Sequence, residues 1–445
     1  MLKKACLFLF VAFLIWGFTD KGIQPTMGKT DRIVNQSAVI ELGKQLFKEA
    51  GFSSPNGDLP ASCNHCHMLD EDPQGLRAYT DFFNRSWISF RSQDKRRLAL
   101  RNSPTILDVG AMPRLHYDGE FASLEDLVKG TLSGRTLGWV AGEEAKAKEN
   151  ARAVILKNQA TYGRKFEQAF AVNIEAVSSD ELLNLVAKAV ADYCRTLRSH
   201  KNSTYDQFIA LNGLETAPAN GEDAKAYGQR LLEKIQQLET EKTLKLTPGF
   251  NQSALQGLKI FFRADKGNCL ACHAPPAFTD HSFHNLGISQ REYDRRHGEG
   301  KFAELAIPDV ASAARPSAQA LEIPLEEKPG YADLGFWNYV DVKNSSLRKP
   351  GESDNQFLNR MIGTFKTPTL RNLKYSYPYF HNGTLFTLDE VLGEMLRLSD
   401  MARAGRIREG DEELAKIKFT ASDIAHLVNF LNTLNEDLNN HRTGK

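Results

Sequence analysis

Apolar positions recur at helical spacing along most of the chain, while period-two alternation is scarce and short. The segment SSDELLNLVAKAVADYCRTLRS has an N-cap serine, acidic residues in its first turn and basic ones in its last. It therefore predicts a capped amphipathic helix. Cys194, near the end of that segment, falls on the apolar stripe and reads as a small buried hydrophobe. Residues 224–245 combine many charges with strong helix formers and predict a solvated helix between two domains. Residues 423–435 predict a closing amphipathic helix with Ser422 as its N-cap. Residues 291–352, rich in charge, Pro and Gly, read as a long loop excursion.

One pattern occurs twice. Residues 41–67 run from ELGKQLFKEAG through a polar loop into ASCNHCH, and residues 255–273 read LQGLKIFFRADKGNCLACH. Each copy is an amphipathic helix, a loop containing Gly or Lys, and a CxxCH. Copies this far apart point to two related domains, not a short-period solenoid.

CxxCH is the attachment pattern for haem c. Two thiols three positions apart on an incipient helix reach the two vinyl groups, and the next residue turns its imidazole onto the iron. Cys63, Cys66 and His67 meet that requirement, as do Cys269, Cys272 and His273. Zinc would need four ligands at each site, and no second cysteine pair exists to complete either one. The expected fold is mainly α, with two cytochrome c-like domains, each carrying a covalently bound haem c. Residues 36–215 form the first and 251–437 the second, joined by a helical linker over 216–250 and by long loops.

Composition narrows the class further. The chain has 445 residues, 25% charged and 41% hydrophobic, with a formal net charge of +1. That balance gives no reason to expect nucleic acid as a partner. Lys3 and Lys4 precede an apolar run from Ala5 to Phe18, the length of a signal-peptide core and short for a membrane span. Residues 1–22 are thus expected to be a signal peptide or an uncleaved N-terminal anchor, and the protein to be exported to the periplasm. Of six cysteines, four lie in the CxxCH pairs and Cys6 in the leader, so no pair remains for a structural disulfide.

Three further segments carry a resemblance. FKTPTLRNLKYSYPYFHNGTLFTLDEVL from Phe365, RNSPTILDVGAMPRLHYDGEFASLEDLV from Arg101 and FTDHSFHNLG after the second CxxCH resemble the bacterial di-haem cytochrome c peroxidases. That superfamily includes the di-haem enzyme that matures methylamine dehydrogenase. The resemblance implies that the C-terminal haem collects electrons, with its sixth iron ligand fourteen positions after His381, at Met395. A thioether there favours ferrous iron and raises the potential. It also implies a calcium ion between the haems, on the Asn102 side chain and the Ser376 and Pro378 carbonyls. Tyr117 stands where the family has a Trp bridging the haems. It is expected to be catalytic, with His67, by relaying an electron. His116 beside it reads as a hydrogen-bonding structural residue. His281 and His284 are expected in the loop over the second haem, and the basic clusters 95–97 and 295–296 as solvated faces.

The chain also departs from the family. Asp94 replaces the removable distal His, and no His occurs between His67 and His116. The family's distal Gln aligns with Leu127, and its distal Glu falls near Leu137 and Gly138, with Glu143 or Glu144 as substitutes after a loop shift. A missing acid/base costs about 10²–10⁴-fold in peroxide cleavage.

The leading expectation is hydrogen peroxide reduced to water at the His67 haem. Electrons would come from a small c-type cytochrome or cupredoxin through the His273/Met395 haem. One alternative is an oxidase of a partner protein or organic substrate, with Trp337 and Tyr339 as a surface radical exit; another is a non-catalytic electron carrier. The donor, homodimer formation and membrane anchoring are left open.

Overall fold

The computed structural model describes residues 35–56, 60–67, 101–140, 142–310, 330 and 332–436. The leader, the 95–97 cluster and Asp94 lie outside them. Among the described residues no helix is long and apolar enough to cross a membrane.

The first half is built from α1 (Gln36–Phe47), the single turn α2 (Cys63–Cys66), α3 (Leu124–Leu132), α4 (Glu144–Lys157), α5 (Gln159–Phe170) and α6 (Ser179–Arg195). Caps fix their starts as the sequence suggests. The Ser178 hydroxyl accepts from the Glu181 N–H to open α6, and the Ser123 hydroxyl accepts from Asp126 to open α3. Val39, Leu42 and Leu46 of α1 interlock with Val186, Ala187 and Val190 of α6 in one apolar core, where Cys194 is buried.

The second half holds α7 (Thr204–Leu211), α8 (Ala224–Thr240), α9 (Gln252–Phe262), α10 (Ile288–His297), α11 (Asp354–Arg360), α12 (Leu388–Arg403) and α13 (Ile424–Asn432). Its core is aromatic: Tyr205, Phe261, Phe278 and Phe430 meet edge-on or tilted, and Phe208 stacks on Phe250 at 4.0 Å.

The repeat has a spatial reason. At Gly43 a β-carbon would meet the Ala189 carbonyl oxygen, where α1 crosses α6. At Gly257, the matching position, it would meet the His426 carbonyl, where α9 crosses α13. In both copies the helix ahead of the CxxCH presses against the last helix of its core, and only glycine lets the backbones approach so closely. Strand content is as sparse as expected: β1 (Phe283–His284) pairs antiparallel with β2 (Phe365–Lys366).

Four expectations change. Helix α8 is not a solvated linker, because Tyr227, Leu231 and Ile235 are buried in the second core. That core begins at Tyr205, ahead of the expected boundary. The 3-10 turn that leads into the last helix is opened by Thr420, in a capping box with Asp423, and Ser422 lies inside that turn, while Asp423 stands at the N-cap of the helix itself. Residues 291–352 are not one loop excursion. Their start belongs to α10, and Phe302, Leu334, Phe336 and Trp337 join Phe357 of α11 in a third apolar cluster.

Candidate functional site

Both CxxCH segments adopt one local shape. The His67 N–H donates to the Cys63 carbonyl and the His273 N–H to the Cys269 carbonyl, each at 2.9 Å. A single turn closed in this way brings thiols three positions apart to one side and carries the imidazole just past the second thiol. Burial, with the neighbouring thiol of each pair, pushes Cys63 and Cys269 up to about 12. His273 donates Nδ1–H to the Phe278 carbonyl at 2.9 Å, which fixes the tautomer and leaves Nε2 as the nitrogen that carries the lone pair.

Cys63, Cys66 and His67 line a cavity of about 260 Å³. Apolar walls come from Leu115, Leu124, Leu127, Val128 and Leu137, with Arg101 and Lys366 adding cationic groups. Lys366 is buried, and among the described residues its ammonium has only the Met112 thioether, at 3.7 Å, as a hydrogen-bond partner. Burial pushes it down to about 8. Two thiols, an imidazole, apolar walls and an under-partnered buried cation suit a flat apolar macrocycle with carboxylate edges, so these residues fit a haem.

Leu127 and Leu137 face this cavity, so the positions expected to correspond to the family's Gln and Glu are apolar wall here. Glu143 and Glu144 do not replace them. Glu143 accepts from the Val140 N–H and Glu144 from the Gly142 N–H, and neither lines the cavity. The carboxylate that does line it is Glu120, bonded to His116 at 3.2 Å. His116 thus has the expected hydrogen bond, but in the cavity wall. Sequence reading passed over Glu120, although the spacing HxxxE in HYDGE was visible.

Tyr117 lines the same cavity. Burial pushes its phenol above the usual tyrosine range, and the Asn102 amide beside it partly offsets that. Its carbonyl accepts the Lys366 N–H at 2.7 Å, Lys366 pairs with Phe283 in the small sheet, and His284 follows Phe283. His284 reaches the Cys272 thiol. The two CxxCH sites are therefore joined through one strand pair.

Asn102 lies beside Pro378. Its Nδ2 donates to the Pro378 carbonyl, while its Oδ1 is buried with no partner. A buried amide oxygen beside a carbonyl is the donor chemistry of a hard cation, so this pair fits calcium. For Ser376 the bond seen is its N–H on the Leu373 carbonyl at 3.2 Å. Met395 sits on α12, half-buried against the second core. His381 is buried and stacked on Phe365 at 3.6 Å, and burial, with Arg101 nearby, drives its pKa well below the usual value. Trp337 is fully buried, which removes it as a surface exit. Arg295 and Arg296 are exposed, as expected of a solvated face.

His284 sits between Asp411, 2.6 Å from Nδ1, and Asp280, 2.8 Å from Nε2. Burial alone would lower its pKa, but the two carboxylates and Cys272 push it up to about 12. The unfolded value is about 6.5, so its stabilisation is full below about pH 6.5 and is lost as pH rises toward about 12. Above about pH 7 this group should lower the unfolding free energy by up to ~1.4 kcal/mol per pH unit. Urea unfolding at several alkaline pH values should show that slope in the wild type and not in His284→Gln; equal slopes would refute it.

A mainly helical scaffold with two CxxCH turns defines the chain as a di-haem cytochrome. Residues 37–214 match the family model described as di-haem cytochrome c peroxidase. The cytochrome-c peroxidase IdrP2 of Denitromonas iodatirespirans is 25% identical over 405 residues, 90% of this chain and 83% of that one. The cytochrome c551 peroxidase of Nitrosomonas europaea is 23% identical over 94% of this chain and 85% of its own. The methylamine utilization protein MauG of Methylophilus methylotrophus is 23% identical over 79% and 70%. The fold resembles the diheme peroxidase BthA of Burkholderia thailandensis, with TM-score 0.53 and 21% identity over 89% of this chain and 86% of that one. By these comparisons the chain is similar to the di-haem cytochrome c peroxidases, a likeness that implies two haem groups and an enzyme of the peroxidase-like oxidoreductase type.

Proposed function

We propose that the protein reduces hydrogen peroxide to water in the periplasm, H₂O₂ + 2 H⁺ + 2 e⁻ giving two H₂O. The single observation that carries this reading is the cavity walled by Cys63, Cys66 and His67 on a scaffold shared with peroxidases. Haem c would be held covalently by Cys63 and Cys66 with His67 as ligand, and by Cys269 and Cys272 with His273 and Met395 as ligands. When bound, the first supplies iron that takes up peroxide and the second stores a single electron. The chain's own residues exclude bulk water with Leu127 and Leu137, receive a haem carboxylate at Lys366, and hold calcium with Asn102, Pro378 and Ser376. The two cytochrome c-like domains meet at Tyr117, which relays the electron. The electron donor is a small c-type cytochrome or cupredoxin.

The apolar side chains at Leu127 and Leu137 favour a second reading, oxidation of a partner protein or organic molecule in place of rapid peroxide turnover. Steady-state peroxide consumption by haem-loaded protein, with reduced small cytochrome as donor and calcium present, separates the two. Rapid, donor-dependent turnover is expected. Slow turnover with a persistent oxidised state would favour the oxidase, and inertness toward peroxide would leave an electron carrier.

A further inference from the structure

We infer that His116 and Glu120 together form the acid/base pair of the first cavity, taking the place of the acid that the cavity's Leu137 wall lacks. The inference rests on the peroxidase reading above and names the groups that move its proton.

Both residues line the cavity that also holds Cys63, Cys66 and His67. They sit at opposite ends of a tight turn, closed by the antiparallel bridge between Leu115 and Phe121. The Leu115 N–H donates to the Phe121 carbonyl at 2.8 Å, so positions 116 and 120 face each other across the neck. His116 Nδ1 lies 3.2 Å from Glu120 Oε2. With Glu120 ionised, that bond requires the proton on Nδ1, which leaves the Nε2 lone pair as the acceptor. A carboxylate that orients an imidazole and sets its tautomer is the arrangement that makes histidine a competent base. The ring is further held edge-on against Phe121, at 5.2 Å and 84°.

The backbone supports a positional role. His116 has φ 62°, a left-handed conformation that costs a non-glycine residue about 1–2 kcal/mol. The turn keeps it there because Asp118, at its centre, is fully buried against Arg101 and accepts from the Glu120 N–H at 3.2 Å. An exposed surface ion pair would have no need of a buried anchor or of a strained histidine. The charged and titratable groups that face the pair are Asp118, held by Arg101; Arg114, whose guanidinium reaches the Gly119 carbonyl at 3.5 Å; and Tyr117 and Lys366, which line the same cavity.

The step the pair performs is a proton shift within bound peroxide. His116 accepts the proton from one peroxide oxygen and returns it to the other as the O–O bond breaks, so the departing oxygen leaves as water. The two electrons come from the reduced donor protein, and the second water is completed by two protons from solvent.

The test uses haem-loaded protein and the variants Glu120→Gln and His116→Phe, with Glu120→Asp as the conservative control. Haem content and circular dichroism establish folding. Rapid-mixing rates of the peroxide reaction should fall by about 10²-fold in Glu120→Gln and His116→Phe, recover in part in Glu120→Asp, and change in their pH profile. Cyanide association with the oxidised protein gives a readout independent of turnover. Hydrogen cyanide must shed its proton to bind, so both variants should slow it and shift its pH dependence. If the wild type reacts with peroxide and all three variants keep its rate and profile, the pair is overturned while the peroxidase reading stands. If the wild type does not react with peroxide, that reading fails. Unchanged cyanide kinetics in the variants would then overturn the pair as well.

Discussion

Arg101→Met is expected to lower the unfolding free energy of the protein by ~3–5 kcal/mol. Arg101 is almost buried and holds two buried carboxylates at once. Its Nε and Nη2 each reach Asp333 at 2.7 Å, and its Nη1 bonds Asp118. Asp118 and Asp333 are 0% and 1% exposed, so neither can turn to water when the guanidinium is removed. Methionine fills similar volume and keeps a contact with Phe365, over whose ring Arg101 now lies at 5.5 Å. The loss then comes from two stranded anions and not from a cavity. The triple variant Arg101→Met, Asp118→Asn, Asp333→Asn should recover most of it, because replacing a whole buried ionic group is often near neutral. Urea unfolding measures both proteins. A single variant within about 1 kcal/mol of wild type would show that water reaches these carboxylates.

That cluster also marks what sequence could not supply. The CxxCH turns were legible because haem attachment binds adjacent residues to one chemistry, and the chain folds them as expected, with His67 and His273 in the same turn. Helix α6 was legible because its cap and charges lie within its own segment. The glycines at 43 and 257 were visible as repeat members, but their reason lies across the core at Ala189 and His426. Helix α8 was misread because its charges outnumber Tyr227, Gly228, Leu231 and Ile235, which form its buried stripe. The first cavity takes its wall from residues as distant as Phe47 and Lys366. Glu120 acquires meaning only when the turn brings it to His116, and no local pattern encodes the partners of Arg101.

In the haem-loaded protein, Tyr117→Ala is expected to slow electron equilibration between the two sites by about 10²-fold, ~2.7 kcal/mol on the barrier. Tyr117 is the aromatic side chain on the link that runs from the first cavity, through its carbonyl and Lys366, to β1 and on to Cys272. Truncation leaves that backbone link intact and removes the ring that fills the cavity wall. Stopped-flow absorbance after partial reduction reads the rate directly, and a rate within about twofold of wild type would exclude the relay. Tyr117→Phe then divides two mechanisms. If the electron passes through the ring without resting there, phenylalanine should hold most of the rate. If the phenol is itself oxidised, phenylalanine should behave like alanine, and the proton it sheds must have a destination. Burial raises the phenol pKa, so no phenolate forms near neutral pH to make that oxidation easy. A proton-coupled relay would then show a solvent isotope effect that Tyr117→Phe abolishes. The adjacent Asn102 amide could orient the phenol but cannot take its proton, because a neutral amide is not a base at these pH values. Passage through the ring is therefore the expected route, with Tyr117→Phe near wild type and Tyr117→Ala far below it.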